Sequence, residues 1–343
     1  MTIVACDASF DERWNTFAFT HPRASLYHRA EWRRVNERAF GHKSCYLAAL
    51  GGDRLVGIFP FVQVKSLLFG NIACSLPFVN FGGPCGESDA IEQALLDAAV
   101  AVADEWSVDY LEIRSVRNLG PQFPVSTHKV SMTVDLHPDP ETLWTAFKHC
   151  QRQDIRRGYK NGFVARFGGI DLVDDLYAIL SESWRDQGTP MYARSYLVEI
   201  LNALPEHTTI CIVYDADGVP AAGAFEGHHQ GTVEGMWLGI RSAYRRQLAG
   251  YVLYWELIKH ACEQGHRRFH LGRSSVDSGA EQFKKKWNAA PAQLYWHYLL
   301  RTRSEVPQLN VQNNRFQLAI AAWRRLPIAV TQLVGPMIAR SIP

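Results

Sequence analysis

The sequence predicts an α/β (α+β) protein of two tandem units, each with a mixed, mostly antiparallel sheet flanked by helices. The order helices, β-hairpin, helix, strand occurs over Phe10–Leu136 and again over Pro140–Leu299, without a repeat at the level of residues. The chain has 343 residues, which is long for one hydrophobic core. We therefore expect one domain over residues 1–138, with the tail 300–343 packing back on it, and a second domain over residues 139–299.

The first half carries signals for each of these elements. A short helix is predicted over Phe10–Phe17, because two acidic residues lie in its first turn. Pro60 lies in the second strand of the hairpin and predicts an edge or a bulge, since proline cannot donate a ladder hydrogen bond. The remaining elements are a helix over Leu26–Phe40, hairpin strands over Ser44–Leu50 and Arg54–Val64, a helix over Ala90–Trp106, and strands over Tyr110–Arg114 and Lys129–Leu136.

The second half opens with a basic helix. Asp139 is a suitable N-cap and Pro140 a suitable first residue, so this helix is predicted from Pro140 to about Tyr159. The elements that follow are helices over Leu172–Gln187 and up to Leu204, an antiparallel meander of Thr209–Tyr214, Val219–His228 and Thr232–Ile240, a helix over Tyr251–Gln264, and a short buried strand over Arg268–Leu271.

A stretch rich in glycine, serine and lysine, HLGRSSVDSGAEQFKKKWN (270–288), completes that last strand and continues beyond it. Ligands of α/β proteins commonly bind at the C-terminal ends of strands. Gly272 predicts an unusual backbone angle or the close approach of a ligand. The predicted anion-binding residues are Arg273, Ser274, Ser278, Lys284 and Lys285, the serines also being candidate N-caps for a helix near Ala280. The alternative is a polar turn before a helix with a solvated basic face.

The helix that begins at Pro140 carries a second basic group. Arg152 and Arg156 are four residues apart and share a helix face, which predicts contact with an anionic part of a substrate. The alternative is a solvated face. The net charge of the chain is only +2, so any anion site must be local. No recognised nucleic-acid motif is present, and we expect no DNA partner.

The second half resembles the FemAB family, whose members carry two tandem acetyltransferase-like (GNAT-like) domains. Four segments within Leu143–Tyr298 carry the resemblance: QRQDIRRGYKNGF (151–163), GTPMYARSYL (188–197), VLYWELIKHACEQG (252–265) and the stretch from His270 to Trp296. The branch it resembles most is found with bacterial exopolysaccharide and exosortase (PEP-CTERM) clusters. The segment RRQLAG (245–250) lies where the family has its acyl-coenzyme-A loop, and His270 stands where the family has an acidic residue.

The resemblance implies transfer of an acyl or aminoacyl group to an amine of a cell-envelope precursor or exopolysaccharide. The amine attacks the donor directly, without a covalent enzyme intermediate. The donor is acyl-coenzyme A or aminoacyl-tRNA, bound as a substrate, and no permanently bound cofactor is implied. Such a reaction needs the reactants held together, a donor to the oxyanion, often a backbone N–H at a strand bulge, and a route for the amine proton.

Candidate catalytic residues lie on the meander and the loops around it. Glu226 is the predicted proton acceptor, and Glu234 and the strand-end histidines His228 and His229 are alternatives. Each of these has a simpler explanation as a solvated residue at a strand. The aromatic candidates, which packing explains equally well, are Tyr192 and Tyr244 as hydrogen-bond donors to the reacting carbonyl, and Trp184 and Trp237 as substrate-binding residues.

Cysteine usage and the tail bear on the cellular setting. Seven scattered cysteines without a Cys-x-x-Cys pair argue against a disulfide framework or zinc site and favour a reducing cytosol. We predict no metal site and a cytoplasmic protein.

Residues 315–340 mix apolar residues with arginines, and the uncharged run Leu326–Ala339, of 14 residues, is too short to span a bilayer. It can lie in the interface at the inner face of the cytoplasmic membrane, and the alternative is packing on the first domain.

A second function from a different class is also open. The basic residues can hold an anionic glycan or a lipid phosphate in a GNAT-like module that has lost its chemistry. The divergence of the RRQLAG segment and His270 favour this binding module.

Overall fold

The computed structural model describes residues 1–66, 70–302, 305–306 and 314–342. The chain forms two compact units. Unit 1 consists of Met1–Lys129, Gln293–Gln308 and Arg340–Pro343, and unit 2 consists of Val130–Ala292 and Leu309–Ala339.

The helices and strands largely follow the predicted order. From Thr2 to Ser126 they are β1 (Thr2–Ala5), α1 (Asp11–Thr20), α2 (Glu31–Phe40), β2 (Lys43–Gly51), β3 (Arg54–Ser66), β4 (Gly70–Cys74), β5 (Cys85–Gly86), α3 (Asp89–Glu105), β6 (Tyr110–Ser115) and β7 (Val125–Ser126). From Lys129 onward they are β8 (Lys129–Asp135), α4 (Pro140–Ala146), α5 (His149–Lys160), β9 (Val164–Gly168), α6 (Val173–Gln187), α7 (Arg194–Ala203), β10 (Thr208–Tyr214), β11 (Pro220–His229), β12 (Thr232–Ile240), α8 (Ala249–Glu263), β13 (Arg268–Ser275), α9 (Gly279–Lys285), β14 (Ala290–Gln293), β15 (Tyr295–Leu300), α10 (Asn314–Trp323) and α11 (Ile328–Ala339).

Unit 1 is built on a sheet with the order β1-β2-β3-β4-β6-β15-β7, with β5 beside β3. Strands β4 and β6 pair in parallel. The pairs that β2 and β3 make with their neighbours, and those that β15 makes with β6 and β7, are antiparallel. Helix α3 packs Leu95, Leu96 and Ala99 against β2 and β3. The mixed, mostly antiparallel sheet flanked by helices is confirmed.

Pro60 predicted an edge or a bulge, but β3 is an interior strand, and its register shift against β2 lies at Ala49 and Leu50 rather than opposite Pro60. It pairs with β2 along its length, with Pro60 opposite Tyr46. On its other side it pairs with β5 at Gly57 and Ile58, and with β4 from Val62 onward. Pro60 lies between these two ladders, where a residue without an N–H costs least.

Unit 2 is built on a sheet with the order β14-β8-β13-β12-β11-β10-β9. Helices α5 and α8 pack together, since a Cβ on Gly158 would lie 2.6 Å from Val252, and their apolar residues join one core with β8, β10 and β11. Helix α6 also packs on this sheet, where Gly223 and Gly239 leave room for Ile179 and Leu180. These packed layers hold β11, β12 and β13, the strands of the candidate site, in place.

The division of the strands differs from the expected domain boundaries. Strand β8 lies before residue 138, yet it pairs in the unit 2 sheet between β13 and β14. Strand β15 begins within the expected second domain and ends one residue beyond it, at Leu300, yet it pairs with β6 and β7 in the unit 1 sheet. Each strand belongs to the unit that contains its hydrogen-bonded partner strand. The order of elements in the sequence does not show which strand that partner is.

Two predicted helices are each interrupted. Asp139 caps Glu141 N and Pro140 is the first helical residue, as predicted, but α4 ends at Ala146 because Phe147 is extended and buried. Helix α5 then starts at His149. The helix predicted over Leu26–Phe40 is a 3₁₀ turn at Leu26–His28 followed by α2.

The described part of the tail does not follow the expected packing. Helices α10 and α11 group with unit 2, where Gly188 leaves room for Ile320 and α11 contacts α6. Arg340 groups with unit 1 and donates to Phe40 O. The tail residues 303–304, 307–313 and 343 lie outside the described residues. No helix in the described part of the chain is long and apolar enough to cross a membrane.

Candidate active site

The parallel strands β12 and β13 pair over a short stretch and then part. Their register pairs Thr232 with Arg268, Val233 with Phe269, and Glu234 with His270. Strand β12 continues to Ile240 and β13 to Ser275, but no further register between them follows. We call the point just after Glu234 and His270 the strand fork. The predicted site after His270 therefore lies where two neighbouring parallel strands stop pairing.

Two glycines make the strand fork narrow. Gly272 has φ +73° and a Cβ there would lie 3.1 Å from Gly235 O. A Cβ on Gly235 would lie 3.4 Å from His270 O. The unusual backbone angle predicted at Gly272 is present, and the group that approaches it closely is backbone of β12, which is why glycine is needed.

Strand β12 carries a β-bulge at the strand fork. Phe225 of β11 lies opposite Trp237, and Glu226 lies opposite Gly235, so Met236 is the extra residue. A bulge interrupts the ladder and leaves backbone groups of the extra residue out of it. The bulge is thus a candidate donor to an oxyanion, at the position that the chemistry requires.

Glu226 places an unpaired carboxyl group beside this bulge. Its side chain is 1% exposed, and its Oε1 has no hydrogen-bond partner within the described structure. Burial disfavours the charged carboxylate and raises the pKa of Glu226 to about 8. Buried polar atoms are usually hydrogen-bonded. An orphaned buried carboxyl group one strand away from the strand fork is therefore a candidate partner for a proton donor or acceptor of a ligand.

Glu234 and His270 are in buried side-chain contact at the strand fork, and Ser131 of β8 extends this contact. Glu234 Oε1 lies 2.7 Å from His270 Nδ1, and His270 Nε2 is hydrogen-bonded to Ser131 Oγ. The side chains of all three are almost fully buried. This Ser–His–Glu chain crosses three adjacent strands, and Ser131 was not foreseen from the sequence because it lies 139 positions from His270.

Helix α9 directs the predicted lysines in different directions. Lys284 is 8% exposed, and its Nζ donates to the carbonyls of Gly272 and Arg273 at 3.0 Å each. Burial lowers the pKa of Lys284 to about 8. Lys285 instead is exposed and forms an ion pair with the buried Glu281 at 2.7 Å. Lys284 therefore supports the β13 backbone, and Lys285 lies on the surface.

The two predicted serines also separate by role. Ser278 is the N-cap of α9, and its Oγ accepts from Glu281 N at 3.2 Å. Ser274 lies on β13 beyond the strand fork, 4% exposed, with an unpartnered Oγ within the described structure. Arg273 is half-buried between them and Gly272. Ser274 is thus a second orphaned polar group on the strands that part.

The predicted aromatic residues form a cluster beside the bulge. Tyr192 contacts Trp184 and Trp237 edge-to-face, with ring centroids 5.6 Å and 5.8 Å apart. Trp237 and Tyr196 are buried, whereas Trp184 and Tyr192 are partly exposed. The structure therefore brings Trp184, Tyr192 and Trp237 together, next to Phe225 opposite the bulge.

Tyr244 and the arginines of α5 are engaged elsewhere in unit 2. The hydroxyl of Tyr244 donates to Asp215 Oδ2 at 2.7 Å, which raises the pKa of Tyr244. Arg152 donates to Thr145 O at 3.4 Å, and Arg156 lies over the Trp144 ring at 5.3 Å. These side chains brace loops and helices, so we do not retain Tyr244 as a catalytic donor.

The segment between β12 and α8 contains RRQLAG. Leu248 has φ +70° and precedes the first helical residue, Ala249. The first N–H groups of a helix have no partner within it and attract anions. Arg245 and Arg246 are exposed beside this helix start. The predicted acyl-coenzyme-A segment thus combines a helix N-terminus with two cations.

The corresponding place in unit 1 is closed by its own chain. Strands β4 and β6 also pair in parallel over three residues. Beyond them Ser75 Oγ accepts from Arg114 N at 2.8 Å, and Gly82 N donates to Arg114 O at 3.0 Å. Segment 75–82 also contains the buried Leu76 and Phe78, both with positive φ. In unit 1, residues 75–82 therefore pair with the end of β6 just after the parallel strands.

A comparison with protein families gives a match at this site. Residues 149–285, from the start of α5 to the end of α9, match the family described as an acetyltransferase (GNAT) domain. The crystal structure of FemX aligns with a TM-score of 0.67 at 13% identity, over 87% of this chain and 98% of that chain. The chain has a FemAB-like tandem GNAT fold. Its GNAT family match contains the strand fork, the bulge and the RRQLAG segment.

Two further solved structures share this tandem GNAT fold. A tandem GNAT protein from the clavulanic acid biosynthesis pathway has a TM-score of 0.54 at 14% identity, covering 89% of this chain and 99% of that one. The C-terminal domain of a putative lysylphosphatidylglycerol synthetase from Agrobacterium fabrum has a TM-score of 0.56 at 15% identity, covering 92% and 94%. No curated protein sequence matches the chain. Across the described residues, no group of three or more histidine, cysteine or acidic side chains is placed to hold a metal ion.

Proposed function

We propose that this protein is an N-acyltransferase that transfers an acyl or aminoacyl group to an amine of a cell-envelope precursor or exopolysaccharide. The observation that carries the proposal is the unpaired, buried Glu226 carboxyl group beside the bulge of β12. The acetyltransferase family match over residues 149–285 supports the reaction class.

In the proposed reaction the donor carbonyl enters the strand fork against the bulge. The amine nitrogen attacks the carbonyl carbon directly, and backbone at Met236 stabilises the oxyanion. The C–S bond of a thioester, or the C–O bond of an aminoacyl ester, then breaks. The attacking amine is uncharged; after attack its proton passes to the ionised Glu226, which then gives that proton to the leaving thiolate or alkoxide and is a carboxylate again. No acyl group is attached to the enzyme at any step.

The pKa of Glu226 suits this role. A general base works best when its pKa lies near the operating pH. Burial raises the pKa of Glu226 to about 8, so its carboxylate is a stronger base than an ordinary glutamate and is still partly ionised near neutrality. The Ser131–His270–Glu234 chain lies on the adjoining strands and fixes the geometry of the strand fork.

For the donor we propose acyl-coenzyme A or aminoacyl-tRNA. Arg245, Arg246 and the α8 N-terminus provide charges for phosphates of the donor. Arg273 and Ser274 on β13 remain proposed substrate contacts, and Trp184, Tyr192 and Trp237 are proposed to contact the acyl group or acceptor. Lys285, Arg152 and Arg156 stay predictions for a longer anionic substrate, because their present contacts are at the surface.

The acceptor class is proposed from the solved structures. FemX belongs by name to the FemAB type, and the synthetase from Agrobacterium fabrum is named for a lipid product. The name of the synthetase supports a lipid-linked acceptor, and an envelope precursor and a position at the inner face of the cytoplasmic membrane stay predictions. Membership of the exopolysaccharide and exosortase branch stays a prediction.

Radiolabelled transfer assays test the proposal. The full chain is incubated with acetyl-coenzyme A or alanyl-tRNA and with amino sugars, peptidoglycan precursors or aminated polysaccharide, and products are identified by mass spectrometry. We expect transfer with one donor class, and a loss of roughly 10²–10⁴ in kcat for Glu226→Gln. Glu263→Gln, at an exposed glutamate of α8, is the matched control and should keep full activity.

The binding-module alternative makes the opposite prediction. Folded protein that binds coenzyme A or a lipid phosphate, but transfers no group from any donor, would support it. Equal rates for Glu226→Gln and the unaltered protein would remove Glu226 from the mechanism.

A further inference from the structure

Helix α11 has its small residues buried and its large apolar residues exposed. Thr331, Gly335 and Ala339 are buried on one face. Leu333 is 75% exposed and Met337 is 69% exposed on the other. Exposed Val330 and Val334 complete this outer stripe at helical spacing, at 39% and 36% exposure. The distribution is the reverse of an ordinary surface helix, in which the apolar stripe faces the core.

The buried face is held in place by specific contacts within unit 2. A Cβ on Gly335 would lie 3.0 Å from Met191 O and 3.2 Å from Met191 N, so the helix lies directly on that backbone. Gln332 Nε2 donates to Ser181 Oγ of α6 at 3.2 Å. Rotating the helix to bury Leu333 would break both contacts. The outward direction of the stripe is therefore fixed by packing.

The sequence segment that carries the stripe contains charged residues of a single sign. The sequence from residue 314 to 343 contains four arginines and no aspartate or glutamate. Arg324 and Arg325 lie exposed between α10 and α11, and Leu318 of α10 is a further exposed apolar residue at 73%. An apolar stripe on a segment whose only charged residues are arginines matches the two components of an anionic bilayer surface, acyl chains and negatively charged headgroups.

We propose that α11 binds the surface of an anionic lipid bilayer, with Val330, Leu333, Val334 and Met337 in the acyl boundary and Arg324 and Arg325 at the headgroups. The helix has 12 residues and lies along the interface. The proposal names a membrane partner for the chain and does not depend on the transfer reaction. If the proposed reaction also holds, α11 brings the strand fork to lipid-borne substrates.

A second copy of the chain fits this stripe less well. At 1.5 Å per residue α11 is about 18 Å long, and one side about 10 Å wide gives roughly 180 Å². A stable protein interface buries about 800 Å² on each partner. Net positive charge on both copies would also oppose their association. The stripe is therefore matched to lipid rather than to itself.

Vesicle co-sedimentation of the full chain tests the proposal. We expect binding to vesicles of equal parts phosphatidylglycerol and phosphatidylcholine, weaker binding to pure phosphatidylcholine, and a decrease with added salt. Leu333→Ser/Met337→Ser should weaken binding at least tenfold and leave the thermal midpoint unchanged, because both side chains are exposed. Arg325→Gln should weaken binding to the anionic vesicles alone.

Val164→Ser is the matched control, since Val164 is 65% exposed on β9 of the same unit; it should bind like the unaltered protein. Equal vesicle binding by Leu333→Ser/Met337→Ser and the unaltered protein would overturn the proposal, as would no binding by the unaltered protein. A dimer in light scattering that disappears in Leu333→Ser/Met337→Ser would assign the stripe to a second copy instead. Transfer to a soluble acceptor is measured in parallel, so failure of membrane binding is distinguishable from failure of the proposed reaction.

Discussion

At the scale of single residues, Glu226 and Lys284 show how burial changes the chemistry of a side chain. Both lie close to the strand fork, and burial moves the pKa of each to about 8, upward for the carboxyl group and downward for the ammonium group. They differ in their partners. Lys284 donates to two carbonyls of β13, whereas Glu226 Oε1 has no partner among the described residues. Lys284 is thus explained by the fold, and Glu226 is not.

Glu226 should give the protein a pH-dependent stability. The carboxyl group binds its proton up to about pH 8 in the folded state, but in the unfolded state only up to the ordinary glutamate pKa of 4.5. Its stabilising contribution is fully present below the unfolded pKa and is lost as the pH rises through 8. We expect the stability of the unaltered protein relative to Glu226→Gln to fall by on the order of a few kcal/mol between pH 5 and 9, measured by urea unfolding. A difference that does not vary with pH would contradict the raised pKa.

Lys284 and Lys285 form a matched pair for mutation. Lys284→Met removes two charge-assisted hydrogen bonds to buried backbone, and we expect a loss of roughly 2–4 kcal/mol in the free energy of unfolding. Lys285→Met removes an i,i+4 pair in which Lys285 is exposed and Glu281 is buried, and Glu281 keeps its hydrogen bond from Asp277 N, so we expect a smaller loss of about 1 kcal/mol. Thermal and urea unfolding measure both. Equal effects of the two substitutions would show that Lys284 does not support β13.

The residues of the site were only partly predictable. Glu226 was named from its position on a strand, but its depth depends on the strands β10 and β12 that pair on either side of it. Ser131 left no local signal, because its partner His270 lies on a strand far along the chain. The one usable hint was His270 itself, which departs from the acidic residue of the family pattern.

At the scale of elements, the strand fork depends on backbone geometry that two glycines permit. Gly272 requires a positive φ and lies against β12, whereas Gly279 at the start of α9 has an ordinary φ and open space around its Cβ position. The sequence predicted the unusual backbone angle of Gly272. It did not predict that β12 carries a bulge opposite Phe225 and Glu226, since a bulge is a mismatch between two strands.

Gly272→Ala should therefore be destabilising where Gly279→Ala is not. The added methyl group forces a left-handed backbone on alanine and approaches Gly235 O, so we expect a loss of roughly 1–3 kcal/mol. Gly279→Ala should be neutral or slightly stabilising. Thermal denaturation compares the two, and equal midpoints would contradict a strained Gly272. If the strand fork binds the donor, Gly272→Ala should also raise the KM for it.

At the scale of the whole molecule, two strands pair in a different unit from the one expected from the predicted domain boundaries. Strand β8 belongs to the unit 2 sheet and buries Met132 and Val134 in its core, although it precedes residue 138. Strand β15 belongs to the unit 1 sheet. The expected second domain, residues 139–299, therefore lacks a strand that its core requires.

Protein fragments test this assignment. We expect the fragment 139–299 to show no cooperative thermal transition by circular dichroism, because without β8 the ladder of β13 and part of the core are exposed to water. The fragment 128–343 retains β8, α10 and α11 and should unfold cooperatively. A cooperative transition of similar midpoint in both fragments would show that β8 is dispensable for unit 2.

The sequence by itself determined the order of the elements, the tandem α/β plan and the polar stretch from His270 to Asn288. These follow from local patterns, namely caps, hydrophobic periodicity and turn residues, which act over a few positions. Only the tertiary structure decided which strands pair, that Lys284 points inward while Lys285 does not, and that α11 exposes its apolar stripe. These depend on contacts between residues distant in sequence, and such contacts leave no periodic signal in the chain.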